Sequence, residues 1–385
     1  MLVQMKRISL KLSLLFAVAA FPTLFSACSN VPERGAEIIG KLTGFAPDDS
    51  ITVYLMHYDG LSGRSIETDT LRDGCFSFRL DSLSGDKHYS IDLMRIREDS
   101  YDILCFGPEI YLEPGARVKI KGDGKYLYTA SITSPVKDQK LRQSFISKMS
   151  QEDLKEYQDL FTRRKNDRAA MDSISKRLTE QRLALMETEP FGEYSLSRLS
   201  AIASMLSYGY EEYRGTVSRL MDRLTEEQKQ TRQGKEIASY LKEVPKVSVG
   251  GTVPVYEYID VDGGKHFISE LTGKWLLLDF WSLGCGPCIK SSKELVQLSQ
   301  EISDKNLCLV SISIDGEEGW KEASKEHGVT WTNWRDPLGD AGSIRAYDQG
   351  GIPVFVLVNP EGIIEDIHMG YRDGLLHNIT DRIAQ

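Results

Sequence analysis

The chain has no excess of positive charge: 47 Lys and Arg stand against 56 Asp and Glu, a net −9 over 385 residues. A general nucleic-acid binder needs a basic surface to meet the phosphate backbone, so that class is excluded. Glycine (32) and proline (13) are too few for a collagenous or low-complexity chain, and 41% hydrophobic residues are too many for a wholly disordered one. Histidine is sparse, and its six positions (57, 88, 266, 327, 368, 377) lack metal-ligand spacing. There is one Cys-x-x-Cys and no second to complete a zinc site, so no metal is expected. Heptads sustained over three or four repeats are missing, which argues against a coiled-coil arm. The one strongly apolar run, Leu10 to Ala20, is short for a membrane span of about 20 residues and is followed by Pro22.

That run fits an export signal instead. Lys6 and Arg7 precede it, and Leu24-Phe25-Ser26-Ala27 leads with small residues to Cys28. The Cys28 context resembles a bacterial lipoprotein box, which implies cleavage of residues 1–27, acylation of the Cys28 thiol and an exported protein anchored to a bacterial membrane, facing the periplasm. Phe25 departs from the usual Leu three residues before the cysteine; an ordinary secreted protein is the alternative. Several acyl chains anchor stably where one does not. Residues 28–36 are polar, contain Pro32 and Gly35, and read as a tether.

Three regions follow, a multidomain arrangement for a chain of this length. Residues 37–124 carry short strand patterns at Ile38–Leu42, Ile51–Met56, Phe76–Leu80, Tyr89–Met94, Ile110–Leu112 and Val118–Ile120, separated by turns such as Arg72-Asp73-Gly74. Phe76, Phe78 and Leu80 alternate with Ser77 and Arg79, as in a half-buried strand. A small antiparallel β domain is expected. Its stretch Phe106-Gly107-Pro108-Glu109-Ile110-Tyr111-Leu112-Glu113-Pro114-Gly115 resembles the β domain of unassigned function that precedes thioredoxin modules in Bacteroidetes lipoproteins.

Residues 136–244 are poor in Pro and Gly. Leu199, Ile202, Ala203 and Leu206, and again Val217, Leu220, Met221 and Leu224, recur at helical spacing. A helical connector is expected, with breaks at Pro190-Phe191-Gly192 and Gly209. Arg163-Arg164-Lys165 reads as a solvated helix face.

Residues 247–385 hold 11 basic and 21 acidic side chains, so the charge balance shifts near residue 246; solubility accounts for the excess. Trp275–Trp281 is an apolar run suited to a central strand buried on both faces. Cys285-Gly286-Pro287-Cys288 follows, opening a helix through Ile289–Gln300. A helix N-terminus stabilises a thiolate, which makes Cys285 the candidate nucleophile and Cys288 the resolving thiol. A structural disulfide there would constrain almost no chain. Asp279, a carboxylate in an apolar strand, must be paired or raised in pKa, the range useful for proton transfer.

Leu278-Asp279-Phe280-Trp281 leading to Cys285-Gly286-Pro287-Cys288 resembles the thioredoxin active site, and the exported setting resembles the TlpA/ResA branch of that superfamily. The resemblance implies an α/β thioredoxin fold and a thiol–disulfide oxidoreductase with no cofactor beyond a redox-active Cys285–Cys288 disulfide. It makes Asp279 a proton relay to Cys288, and Ile352-Pro353 the cis-proline loop that with Trp281, Gly286 and Pro287 shapes substrate docking. Protein thiols and disulfides of the envelope are the implied partners, with a membrane electron donor of DsbD or CcdA type and no nucleic acid. Gly316–Trp334 resembles the strand–helix insert of this branch, while Cys308 reads as a small core residue.

Gly284 stands where the family usually has Trp, removing an aromatic lid. Ser291 and Lys293 stand where cytochrome-maturation members carry Glu and a helix-kinking Pro, which argues against apocytochrome specificity. The Gly-Pro pair between the cysteines resembles reducing thioredoxins. Two other readings remain: a peroxiredoxin, for which Ser282 lies three before Cys285 but Leu278 occupies the Pro position, and a non-catalytic envelope binding module. Cys75 and Cys105 could pair, but with five cysteines besides Cys28 at least one stays unpaired within a monomer.

Overall fold

The computed structural model describes residues 31–384 apart from 47–48, 60–61, 84–87, 97–100, 106, 163–166, 303–305 and 348–350. The signal segment, Cys28, residues 28–30 of the tether, Phe106 and the Arg163-Arg164-Lys165 run lie outside the described residues.

The N-terminal strands are β1 (Ala36–Thr43), β2 (Ile51–Asp59), β3 (Ser62–Thr70), β4 (Cys75–Leu80), β5 (His88–Ile96), β6 (Tyr101–Cys105), β7 (Glu109–Tyr111), β8 (Ala116–Asp123) and β9 (Ser131–Thr133). They form a sheet β4-β1-β8-β9 and a sheet β3-β2-β5-β6, with β7 also on β5. Alternating residues of both sheets, among them Ile38, Phe76, Phe78, Val118, Val53, Leu55 and Ile91, share one core. Among the described residues these ladders are antiparallel except one. β1 and β8 run parallel from Ala36↔Ala116 to Thr43↔Asp123, where the sequence suggests antiparallel pairing throughout. The reason is topological: the chain completes the second sheet between these strands, and so long a connection can return in either direction. Between β3 and β4, Asp73 (φ 49°) and Gly74 (φ 74°) are both left-handed, as a tight two-residue reversal requires.

Helices α1 (Lys137–Lys148), α2 (Gln151–Thr162), α3 (Arg168–Thr188), α4 (Glu193–Ser204), α5 (Arg214–Asp222), α6 (Glu226–Gln230) and α7 (Arg232–Leu241) follow. The apolar stripes of α4 and α5 are buried, Leu199, Ala203, Val217 and Leu220 completely. Tyr111 and Ala116 of the β domain and Ala341 of the C-terminal region enter this same core. The helical segment is therefore packed on both neighbours. Buried Arg142 of α1 donates from Nε to Glu109 Oε2 of β7 at 2.9 Å, and Arg198 of α4 lies 3.2 Å from Glu109 Oε1.

The C-terminal region contains β10 (Tyr258–Ile259), β11 (Lys265–His266), β12 (Trp275–Trp281), α8 (Gly286–Glu301), β13 (Leu307–Ser313), α9 (Glu317–Glu326), β14 (Thr332–Arg335), α10 (Ile344–Tyr347), β15 (Val354–Val358), β16 (Ile364–Met369) and α11 (Leu375–Thr380). The sheet order is β11-β10-β14-β13-β12-β15-β16, with β12, β13 and β14 parallel and β15 and β16 antiparallel. β12 lies near the centre. Leu276, Leu278 and Phe280 face one core layer, and Leu277 faces another made with Leu295 and Leu298 of α8, Phe355 of β15 and Leu376 of α11. This is a thioredoxin fold: a mixed sheet whose central strand delivers the chain into a helix lying across one face. On its flank, Arg64 of β3 meets Glu318 of α9 at 3.2 Å.

Among the described residues no helix is long and apolar enough to cross a membrane. Cys75, Cys105 and Cys308 take part in no disulfide among the described residues. Cys105 is fully buried, accepts from Gln158 Nε2 at 2.9 Å, and burial pushes its thiol up to about 12.

Candidate active site

β12 ends at Trp281, and the chain reverses through Ser282–Gly284 into α8. A buried carboxylate shapes this reversal. Asp315 accepts from Ser282 Oγ at 2.8 Å, from the Leu283 amide at 2.7 Å and from Ser313 Oγ at 3.0 Å, and the Cys285 amide donates to the Ser282 carbonyl at 3.1 Å. Cys285 thereby becomes the N-cap of α8 in extended conformation, and Pro287 takes a first-turn position where no amide donor is needed.

Cys285 and Cys288 are joined in a disulfide. The Cys288 amide donates to Cys285 Sγ at 3.2 Å, a hydrogen bond of N-cap type that stabilises negative charge on that sulfur once the disulfide opens. The two sulfurs differ in access. Cys285 is half-buried and bordered by exposed Gly286 and Pro287, whereas Cys288 is 3% exposed. Of the two sulfurs, Cys285 is therefore the one open to an incoming group, with Cys288 shielded behind it.

The loop before β15 closes the other side. The Ile352–Pro353 peptide bond is cis, and the Ile352 carbonyl oxygen lies 3.5 Å from Cys285 Sγ. The Pro353 carbonyl accepts from the Gly370 amide at 2.7 Å, holding the loop to the end of β16. Ile352 packs with Trp281, Cys285, Cys288 and Trp320 of α9 in one apolar cluster. Trp281 itself is 5% exposed and edge-on to His327, so it lies beneath the disulfide rather than on the rim where a docking residue is expected.

Asp279 is 3% exposed, and burial pushes its carboxyl up to about 7 against the opposing effect of a hydrogen bond from Ser311 Oγ at 2.8 Å. Its Oδ1 has no hydrogen-bond partner among the described residues. Strand alternation sets Asp279 on one face with Leu277, which packs under α8, and Trp281, which packs against Cys288. The carboxyl is thus placed under the N-terminal part of α8, on the Cys288 side of the sheet. Ser311 in turn accepts from Trp331 Nε1 at 2.9 Å.

Ser311, Trp331, Asp315 and Trp320 are components that the sequence analysis did not single out. Their signal is pairing across a ladder, as in Asp279↔Ser311, and no local motif reports that. Cys308 lies at the opposite end of β13, level with Leu276 and beside Thr332, away from the dithiol. Among the described residues no cluster of three or more His, Cys, Asp or Glu could hold a metal. A cavity of about 540 Å³ between β domain and helices is lined by residues including Asp92, Arg198 and Asp340, and none of its lining belongs to the dithiol site.

Residues 249–367 match the model of the AhpC/TSA family. The thiol-disulfide oxidoreductase ResA of Oceanobacillus iheyensis is 29% identical over 140 residues, 35% of this chain and 72% of the relative. The thioredoxin-like protein YneN of Bacillus subtilis is 26% identical over 133 residues, 34% of this chain and 78% of the relative. Among solved structures, the thioredoxin domain of a thiol-disulfide oxidoreductase from Bacteroides vulgatus aligns with TM-score 0.34 and 28% identity, covering 36% of this chain and all of that one. The family match covers the part of the chain that carries Cys285 and Cys288.

Proposed function

The C-terminal region being a TlpA/ResA-like thioredoxin-fold domain of a thiol–disulfide oxidoreductase, we propose that this protein is exported, anchored through acylated Cys28, and reduces disulfides of other exported proteins. The observation that carries the reading is the asymmetry of the dithiol: an accessible sulfur capping a helix, joined to a shielded one above a buried carboxyl.

The reaction runs in two exchanges. The Cys285 thiolate attacks one sulfur of a substrate disulfide, forming a mixed disulfide, and the displaced substrate thiolate takes a proton from water. The Cys288 thiol then gives its proton to Asp279, and the resulting thiolate attacks Cys285 Sγ. The second substrate thiolate leaves and is protonated, and Cys285–Cys288 closes. The substrate gains two electrons and two protons. A carboxyl poised near pH 7 suits the proton transfer, because at neutral pH it both accepts and releases readily.

The Ile352–Pro353 loop supplies the docking edge, with half-buried Ile352 beside Cys285 offering backbone pairing to an extended segment of substrate protein. Re-reduction requires an outside donor, since a periplasm is kept oxidised; a membrane dithiol protein of DsbD or CcdA type has the matching chemistry. The Gly286-Pro287 pair supports the reducing direction.

Insulin reduction by the full mature chain tests the reading. Wild type should precipitate insulin B chain with dithiothreitol as donor, and Cys285→Ser should not. Cys288→Ser should stop turnover and retain substrate as a mixed disulfide at residue 285. Inactivity of the reduced wild type would overturn the proposal, and a reduction potential near −120 mV rather than about −270 mV would reverse its direction. Loss of membrane association on Cys28→Ser tests the anchor.

A further inference from the structure

Asp279 of β12 and Ser311 of β13 face each other in the parallel ladder, and the Ser311 hydroxyl lies 2.8 Å from Asp279 Oδ2. Trp331, just before β14, reaches over the same strand to place its indole Nε1 2.9 Å from that hydroxyl. Indole N–H can only donate, whereas a hydroxyl has one proton to give and lone pairs to receive. Trp331 therefore occupies the receiving side of Ser311, and the Ser311 proton is directed to Oδ2. The outer member fixes the polarity of the whole chain.

Two consequences follow for the carboxyl. Oδ2 is held as an acceptor whether Asp279 is charged or neutral, so its proton is carried on the other oxygen. That oxygen, Oδ1, is buried and unpartnered among the described residues. It belongs to a side chain on the sheet face that carries Trp281, against which Cys288 packs. A thiol at Cys288 in the reduced protein would give Oδ1 the exchange partner that the disulfide does not.

We propose that Ser311 and Trp331 are positioning residues for thiol–disulfide exchange, a donor chain that orients Asp279 and restricts proton uptake and release to Oδ1. The inference rests on the reading of Asp279 as proton carrier to Cys288. Without the indole, the hydroxyl is free to turn to a backbone carbonyl or accept from the carboxyl, and either oxygen can carry the proton. Without the hydroxyl, the charged carboxylate also loses the one hydrogen bond it has among the described residues and becomes a stronger base. The Ser311 hydroxyl bonds to Asp279 and the Trp331 indole to Ser311, so both act through Asp279.

The test uses the full chain with ¹³C-labelled Asp and ¹⁵N-labelled Trp, titrated by NMR, together with the pH profile of mixed-disulfide resolution. In wild type the Trp331 indole resonance should titrate with the same midpoint as the Asp279 carboxyl. Ser311→Ala should raise that midpoint by about one pH unit, shift the resolution profile with it and abolish the indole titration. Trp331→Phe should raise the midpoint by less, and Ser311→Thr should restore the wild-type values. An indole that ignores Asp279, or a Ser311→Ala profile that matches wild type, overturns the proposal. Failure of the underlying reading is distinguishable: Asp279→Asn would then resolve mixed disulfides with an unchanged pH profile. Should Ser311→Ala not fold, the wild-type indole titration and Trp331→Phe decide the matter.

Discussion

His377 Nδ1 of α11 lies 2.7 Å from Glu294 Oε1 of α8, tying the helix that carries the dithiol to the last helix of the domain. Glu294 is 5% exposed and also receives the Tyr371 hydroxyl at 2.8 Å and the Leu376 and His377 amides at 3.1 Å. Burial alone would raise its carboxyl, but these donors, His377 foremost, hold it below the usual value. The hydrogen bond that His377 donates to Glu294 in turn raises His377.

The pair predicts a stability plateau with two edges. The Glu294 contribution is present above the ordinary carboxylate range and is lost as pH falls through its lowered value. The His377 contribution is complete below the ordinary imidazole value of about 6.5 and disappears as pH rises through its raised one. His377→Gln should therefore lower the Tm by a few degrees at pH 5.5 and by less at pH 9, with screening by solvent keeping the effect modest. Thermal unfolding at the two pH values checks this; an equal loss at both would show that packing, not charge, joins the helices.

Asp279 predicts the opposite trade. Its carboxyl titrates near 7 in the folded state against an ordinary value of 3.8, so the folded protein binds the proton more tightly and loses stability as pH rises from about 4 to 7. Asp279→Asn removes that burden and should raise stability at pH 8, on the order of a few kcal/mol, with little gain at pH 4. The same change should slow insulin reduction about 10²-fold, the usual yield of a positioned acid or base. Urea unfolding at pH 4 and 8 alongside insulin turnover would reveal a variant that is more stable and less active. A variant equally stable at both would mean the carboxyl is not strained by burial.

Asp315 is fully buried and accepts two hydrogen bonds from the turn before the dithiol and one from Ser313. Asp315→Ala leaves the Leu283 amide and two hydroxyls without their acceptor. A loss of about 3–5 kcal/mol is expected in urea unfolding. Because Cys285 takes its N-cap position from this turn, alkylation of the reduced protein by iodoacetamide at pH 7 should lose its selectivity for Cys285 over Cys288. Unchanged selectivity would assign the cap to the helix sequence itself.

What could be read from the chain, and what could not, divides along sequence locality. Trp275–Trp281 occupies the strand expected for it from end to end, because a run of apolar residues before Cys285-Gly286-Pro287-Cys288 has few other solutions. Asp279 stood out because a carboxylate is conspicuous there. β3 went unseen, since Ser62–Thr70 carries one apolar residue, Ile66, and its strand character comes from pairing with β2 along an edge. Ser311 and Trp331 are ordinary residues until the fold brings them to Asp279. Trp281 was legible as part of the site but not as buried, because alternation tells which face a residue takes and not how deeply the neighbouring helix covers it.

Glu109 offers a test of whether the β domain and the helices unfold together. Its carboxylate sits at the end of β7, 2.9 Å from Arg142 Nε and 3.2 Å from Arg198, with all three side chains mostly buried. Burial works against its charge, yet the two guanidiniums hold it well below the usual carboxylate range. Stability from this cluster is thus present above the ordinary carboxylate value and is lost only as pH falls far below it. Glu109→Ala strands two buried cations, a loss of about 3–5 kcal/mol. If the cluster joins the two regions, that loss should appear as one cooperative transition at lower urea, recorded alike by far-ultraviolet circular dichroism and by proteolysis of β-domain and helical fragments. Insulin reduction should persist at denaturant concentrations where the variant's N-terminal part is already open, because Asp279 and the α8 dithiol belong to a region built on a separate sheet. Two transitions in the wild type, with only the first moved by Glu109→Ala, would place the cluster inside one region and leave the helices an independent unit.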